Sequence, residues 1–387
     1  MLENFDILII GGGVNGLVTA LFIVEKSHLR VAIIDKQFKT LAEKYSNAWA
    51  LSKSSLELLK KCGVCVEGFS APIQKVGVDT KIREDFALTF EDVELGRNTN
   101  SSLLKATLLL KAQEHPSIEL IEAELENITI NNNEVEIKTT AGRIKGDFLI
   151  GADGRFSSVR KLLNIHAKEH AFHQTAFTTV VQHEEKHRHL ALEYFLKHGP
   201  IALIPYPDEE QKTSTLVWSL ENEEAKTFNS YPTAEQEYIV SSLLSPLFGA
   251  LRFLAPLKQF PLSAWEAQKK VGMRWTLVGD AAQNMHPVAG QGLNLGLRDA
   301  AQLAETITQN HTLGLPYWDE LYLKAYAKRR VLDTKLFTKG TSVLVDFYRW
   351  APGFARTASA IGMRFLDTDL FNLKDLLKRL ASRSNSH

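Results

Sequence analysis

FDILIIGGGVNGLVTALFIVEKSHLRVAIID, residues 5–35, decides the fold of this chain. Phe5 to Ile10 is a β-rich apolar run. Gly11, Gly13 and Gly16 then satisfy G-x-G-x-x-G, with Val14 and Asn15 in the variable places. Val14, Leu17, Leu21 and Val24 recur at helical spacing, and Val31 to Ile34 forms a second apolar strand ending at Asp35. Strand, glycine turn, helix, strand and acid in that order predict a βαβ dinucleotide-binding unit. The glycines permit a tight turn and let a pyrophosphate approach the helix N-terminus. Asp35, with Lys36 beside it, is placed to meet ribose hydroxyls. This unit alone does not choose between FAD and NAD.

Two further strand-to-loop turns lie downstream. Phe148 to Ile150 is a short buried strand running into Gly151-Ala-Asp-Gly154, an acid flanked by glycines. In WTLVGDAAQNMHPVAGQGLNLGLRD, residues 275–299, the strand Thr276 to Val278 leads to Gly279 and Asp280. A loop with the pivots Pro287, Gly290 and Gly292 follows, and Leu293, Leu297, Ala300, Ala304 and Ile307 then recur at helical spacing. A glycine loop feeding a helix presents free N–H groups and a positive dipole end, so an anion belongs there. NAD needs only the first of the three turns. FAD, with its ribitol chain and tricyclic ring, uses all three.

Between these turns, Leu51 to Cys62 reads as a helix and Leu103 to Ala112 as a buried one. Cys62 and Cys65 form C-x-x-C at a helix C-terminus, where a redox pair would sit at a helix start, so they read as structural. Ala176–Val181, Leu190–Phe195, Ile201–Ile204 and Thr215–Leu220 predict a mostly antiparallel sheet inserted into the nucleotide domain. Gln182 to His189, QHEEKHRH, holds three histidines, and its charges predict a solvated hairpin turn rather than a metal site. The chain thus reads as α/β: a Rossmann-like FAD-binding domain (1–72, 97–168 and 265–320), an inserted substrate domain (73–96 and 169–264) and a C-terminal helical region (321–387). Val343 to Lys378 is basic, amphipathic and aromatic. It suits peripheral contact with an anionic membrane or a partner helix, and equally a cap on the nucleotide domain.

Composition narrows the class. Lys+Arg and Asp+Glu both number 45, which gives no field for nucleic acid. No run of 18 apolar residues is present to span a bilayer, and the apolar N-terminus enters a glycine loop instead of a cleavage site. Two cysteines make no disulfide framework, which fits a reducing compartment and a cytoplasmic enzyme, peripheral to the inner membrane if its tail binds lipid.

The three turns together resemble those of the class A flavoprotein monooxygenases, with the fold of para-hydroxybenzoate hydroxylase. The closer resemblance is to the ubiquinone-biosynthesis hydroxylases. It rests on GPIALIP (199–205) followed by Leu216-Val-Trp218, on Phe260-Pro-Leu262, on HPVAGQGLNLGLRD (286–299), and on Tyr326, Arg330 and Asp333. It implies an FAD-dependent aromatic hydroxylase using NAD(P)H and O₂ through a flavin C4a-hydroperoxide. The substrate would be a polyprenylated phenol, with proteins of the biosynthetic complex as partners. It also implies that Gly279 and Asp280 hold the ribitol chain, that Asp153 and Gly154 meet the pyrophosphate, and that His286, Pro287, Gly290, Gln291, Gly292, Leu293 and Asn294 face the flavin ring. Only one G-x-G-x-x-G exists, so no separate nicotinamide domain is expected. The chain departs from the pattern at Asn47, where relatives carry Arg, and at Gln283, where they carry His. These departures motivate a rival reading as a weakly catalytic accessory subunit that binds FAD. A related hydroxylase or reductase of another substrate is the second rival. No residue stands out as a general base.

Overall fold

The computed structural model describes residues 3–38, 42–79, 88–284 and 291–330. In chain order the elements are β1 (Glu3–Ile10), α1 (Val14–Glu25), β2 (Val31–Asp35), β3 (Ala48–Ser52), α2 (Lys53–Lys61), β4 (Ser70–Asp79), β5 (Leu88–Asn100) and α3 (Ser101–Glu114). Then come β6 (Ile118–Glu122), β7 (Leu125–Ile130), β8 (Val135–Thr139), β9 (Gly142–Gly151), α4 (Ser158–Leu162), β10 (Ala167–His183), β11 (Leu190–Leu196), β12 (Gly199–Pro205) and β13 (Thr213–Glu221). The described chain ends with α5 (Asn222–Ser230), α6 (Thr233–Phe248), β14 (Leu251–Phe253), β15 (Lys258–Ala267), β16 (Val271–Gly272), β17 (Trp275–Leu277), β18 (Gln283–Asn284), α7 (Gln291–Thr312) and a helical stretch over 320–330.

Two sheets organise the molecule. The first runs β16-β17-β9-β1-β2-β6, with β17, β9, β1, β2 and β6 all parallel. Its Val- and Ile-rich strands are buried on both faces, as a parallel sheet requires. One face packs on α1, α2, α3 and α7 through Leu17, Leu104, Leu297 and Ile307; the other lies under the β7–β8 ribbon and α4. The second sheet runs β18-β15-β10-β13-β12-β11-β4-β5-β3 and is antiparallel except where β11 meets β4. The chain enters it three times, between β2 and β6, between β9 and β16, and again after β17 with β18, so it is an insertion, as the sequence predicts. It takes in 48–52 and 97–100 as well as the later segments.

Several local expectations shift. The helix expected from Leu51 begins at Lys53, because Ala48 to Ser52 pair with β5 and the Ser52 hydroxyl caps α2. α3 buries only Leu104, Leu108 and Ala112, and Leu110 is exposed, so it is a one-sided helix. The QHEEKHRH turn is not solvated at its histidines. His183 and His187 are both buried, and His183 bonds the Glu185 carbonyl (2.6 Å) and the Ser214 hydroxyl (2.9 Å). Burial pushes the His187 imidazole down to about 4, with His183 and His189 adding to the shift. Burial also pushes the Cys62 thiol up to about 12, far from a nucleophile's range. His286, Pro287 and Gly290, and the basic segment 343–378, lie outside the described residues.

Candidate functional site

Five strands of the first sheet run the same way, so their carboxyl ends share one edge. Ile10 pairs beside Ile34 and Gly151, and Gly151 beside Leu277. The turns at Gly11–Gly16, Asp35, Asp153–Gly154 and Gly279–Asp280 therefore stand side by side. The first turn is tight because it must be. A Cβ on Gly16 would overlap the Gly11 carbonyl oxygen, whose carbon is 3.1 Å away, and Gly11 itself has φ +112°. A Cβ on Gly13 would meet nothing within 4 Å. Asp35 accepts from the Gly12 and Gln37 amides at 2.6 and 3.1 Å. Lys36 is exposed, and Val14 is buried in the core of the first sheet.

The three turns are tied to one another. Asp153 accepts from the Ser158 hydroxyl (2.8 Å) and the Val159 amide (3.1 Å) through Oδ2, while its buried Oδ1 has no partner among the described residues. Arg160 of α4 donates to the Ala281 carbonyl at 2.6 Å and to the Arg155 carbonyl, so it ties the second turn to the third. Burial pushes the Asp280 carboxyl up to about 6, and Asp299 adds to this against Arg155 and Arg160.

Asn15 acts as a wedge between three elements. A Cβ on Gly296 would run into its amide, with Cγ 2.8 Å away, and one on Gly279 (φ +56°) would be equally close to that Cγ. Its side chain thus sets how closely α1, α7 and the Gly279 turn approach. Gly296→Ala is expected to cost about 1–3 kcal/mol in denaturant melts through overpacking. Adding Asn15→Ala should recover much of that loss, because the two positions share one space. Simply additive penalties would show that the wedge does not exist.

The second sheet closes over this edge. β13 and β5 are separated by β12, β11 and β4, a span of about 19 Å if the sheet were flat. Yet Asn98 of β5 donates to the Thr215 hydroxyl of β13 and to the Pro205 carbonyl, both at 2.9 Å. The sheet is therefore curled, and the face carrying Thr215 is concave. Its two edge strands meet at the start of α7. Asn294 accepts from the Ser52 amide (2.9 Å) and donates to the Ala50 carbonyl (2.8 Å), gripping β3, while a Cβ on Gly292 would lie 3.8 Å from Asn284 of β18. The Tyr206 hydroxyl takes the Ser46 amide (3.2 Å) and the Asn100 amide (2.7 Å), and so pins the segment before β3 under the arch. A cavity of about 840 Å³ opens beside this segment, between α3 and the end of β2, lined by Gln37, Phe38, Ser46, Asn47, Lys105 and Glu122 among others, with Lys258 from the second sheet. Gln283 is buried beside the third turn, in a small pocket with Gly279, Asn284 and Gly292, and its Oε1 accepts from Lys270 at 2.6 Å.

The family described as an FAD binding domain matches residues 4–313. The chain belongs to that family. It is 30% identical over 353 residues to ubiquinone hydroxylase UbiL of Rhodospirillum rubrum, covering 89% of this chain and 81% of the relative. It is 27% identical over 353 residues to 3-demethoxyubiquinol 3-hydroxylase of Escherichia coli, covering 87% and 88%. This flavoprotein is thus one of the FAD-dependent monooxygenases related to the ubiquinone hydroxylases. Its fold is that of p-nitrophenol 4-monooxygenase PnpA from Pseudomonas putida, with TM-score 0.80 at 16% identity over 99% of this chain and 100% of that one. Sequence reasoning missed Arg160, Tyr206 and Asn98. Arg160 follows the Gly151–Gly154 turn in GADGRFSSVR (151–160), but nothing local announces its carbonyl partners.

Proposed function

We propose that this flavoprotein hydroxylates the ring of a polyprenylated phenol in ubiquinone biosynthesis, with NAD(P)H as reductant and O₂ as co-substrate. The observation that carries the reading is the curled sheet, whose edge strands meet at the start of α7 and lay its concave face toward the edge where the three turns stand. The residues fit FAD. Open space at Gly13 leaves room for a pyrophosphate against α1, and the buried, unpartnered Oδ1 of Asp153 offers an acceptor to a ligand hydroxyl or amide. Gly11, Gly13, Val14, Asn15 and Gly16 would cradle the diphosphate together with Asp153 and Gly154, Asp35 the ribose, and Gly279 and Asp280 the ribitol chain. Bound FAD supplies the two-electron reduction and the activated oxygen. The start of α7, from Gln291 through Gly292 to Asn294, points the positive end of a 22-residue helix at the site and favours negative charge there.

The arch keeps water from the ring, as its inner strands present Val76, Val78, Ala202 and Val217. Among the described residues no helix is long and apolar enough to cross a membrane. A lipid-tailed substrate makes the basic, aromatic 343–378 segment a candidate for contact with a membrane or a partner protein. The test is the purified, FAD-loaded chain with NAD(P)H, a short-prenyl phenol and isotopically heavy O₂. The expected product carries one heavy oxygen, and cells lacking the protein should accumulate a quinone precursor short of that hydroxyl. FAD that no nicotinamide reduces, with any phenol present, would overturn the reading.

A further inference from the structure

A single row of residues crosses the second sheet in register: Lys258, Thr178, Val217, Ala202, Glu193 and Val78. The row beside it, Phe177, Trp218, Ile201 and Tyr194, points the opposite way and is buried under α5 and α6 with Phe228, Val240 and Phe248. Glu193 therefore stands on the face away from those helices. That face also carries Thr215, the partner of Asn98 across the curl, so it is the concave one. Lys258, at the far end of the same row, lines the 840 Å³ cavity.

Glu193 is the one carboxylate in this row. Its neighbours across the ladders are Ala202 on β12 and Val78 on β4, and the same-face residues on these strands, Pro200, Ile204 and Val76, bear no charge. On its own strand Ala191 and Phe195 flank it. The nearest described cation in the row is Lys258, four strands away. A half-buried carboxylate in such a wall is costly, and among the described residues it makes no ion pair. Burial alone pushes its carboxyl from 4.5 up to about 7, which is the range where a side chain can both hold and release a proton at neutral pH.

We infer that Glu193 is the catalytic base that receives the hydroxyl proton of the phenol substrate inside the arch. The inference rests on the hydroxylase reading above. In the step, the phenol O–H bond breaks, its electron pair stays on the oxygen, and the proton passes to a Glu193 carboxylate oxygen. The resulting phenolate pushes electron density into the ring, which is what an electrophilic oxygen requires. The proton leaves later to solvent.

The experiment uses the FAD-loaded full chain and its Glu193→Gln and Glu193→Asp variants. In the wild type, kcat/KM for phenol hydroxylation should rise with pH to a plateau above about 7, since the protonated carboxyl cannot accept. Glu193→Gln should fall about 100-fold or more, lose that limb, and keep wild-type FAD affinity by fluorescence quenching. Glu193→Asp should restore the limb. A ring-fluorinated phenol that ionises unaided should recover most of the lost rate in Glu193→Gln. Independently of any variant, ultraviolet difference spectra of phenol bound to the wild type should show phenolate appearing near the same pH. A Glu193→Gln enzyme with wild-type rate and pH limb, or a bound phenol that stays neutral above pH 7, overturns this inference and leaves the hydroxylase reading intact. A wild type that hydroxylates no phenol overturns both.

Discussion

Gly16→Ala yields a protein that neither keeps FAD nor holds its native stability, whereas Gly13→Ala loses FAD affinity alone. The two glycines sit three residues apart in one fingerprint, yet their surroundings differ. At Gly16 a methyl would overlap the Gly11 carbonyl oxygen and press on the Ala152 methyl at 3.4 Å. Both contacts belong to the backbone and core of the first sheet, so the first turn of α1 must lift from β1 and β9. Several kcal/mol of packing loss follows, because Leu17 and Val18 are fully buried on that turn. At Gly13 the methyl meets nothing among the described residues. It would instead fill the space that a diphosphate needs beside the N-terminus of α1. The expected readings are a flavin-free, destabilised Gly16→Ala and a Gly13→Ala whose apoprotein melts within a degree or so of wild type. FAD should bind the latter about 100-fold more weakly, a loss of roughly 2.7 kcal/mol. Visible flavin absorbance after purification and apoprotein melts decide it. If Gly13→Ala keeps full affinity, the diphosphate does not lie at this turn.

That contrast also marks what a sequence can disclose. The glycine fingerprint, Asp35, Asp153 and Asp280 were legible because each is a local event: an apolar run, then a turn residue with one physical reason to be there. Parallel pairing then had to put their loops on one edge. Closure of the second sheet was not legible, since Asn98 and Thr215 meet across 117 residues of chain. Glu193 was hidden by the same cause. In LALEYFL an acid between Leu192 and Tyr194 reads as the outward, solvated member of an alternating strand. Only the curl makes that outward face the interior of the site. Asn15 and Asn294 lie at glycine turns that the sequence marks as ligand-facing. Their side chains also set the approach of α7 and hold β3, which no local pattern announces. The buried His183 and His187 were obscured by their charged neighbours, which face out of the same turn.

Asp299→Asn should be among the most destabilising single changes that leave shape untouched. Asp299 and Arg330 are each 3% exposed, and the guanidinium Nε donates to Oδ1 of the carboxylate, which joins α7 to the 320–330 helix. The Tyr326 hydroxyl adds a bond to the Asp299 carbonyl at 3.4 Å. Removing one member of a buried pair leaves the other charge desolvated without its counterion, at a cost of about 3–5 kcal/mol. Asp280 supplies a second readout, because Asp299 helps burial to raise its carboxyl from 3.8 to about 6. A raised carboxyl contributes stability that is present below pH 3.8 and lost as pH rises through 6. With Asp299 neutralised, the Asp280 carboxyl moves down, so this loss between pH 4 and 6 should shrink even as overall stability falls. A variant that merely loosens packing would lower the whole curve and leave its slope alone. Urea melts from pH 4 to 8 separate the two. A penalty under about 1 kcal/mol with an unchanged slope would mean that this pair neither anchors α7 nor charges the Asp280 turn.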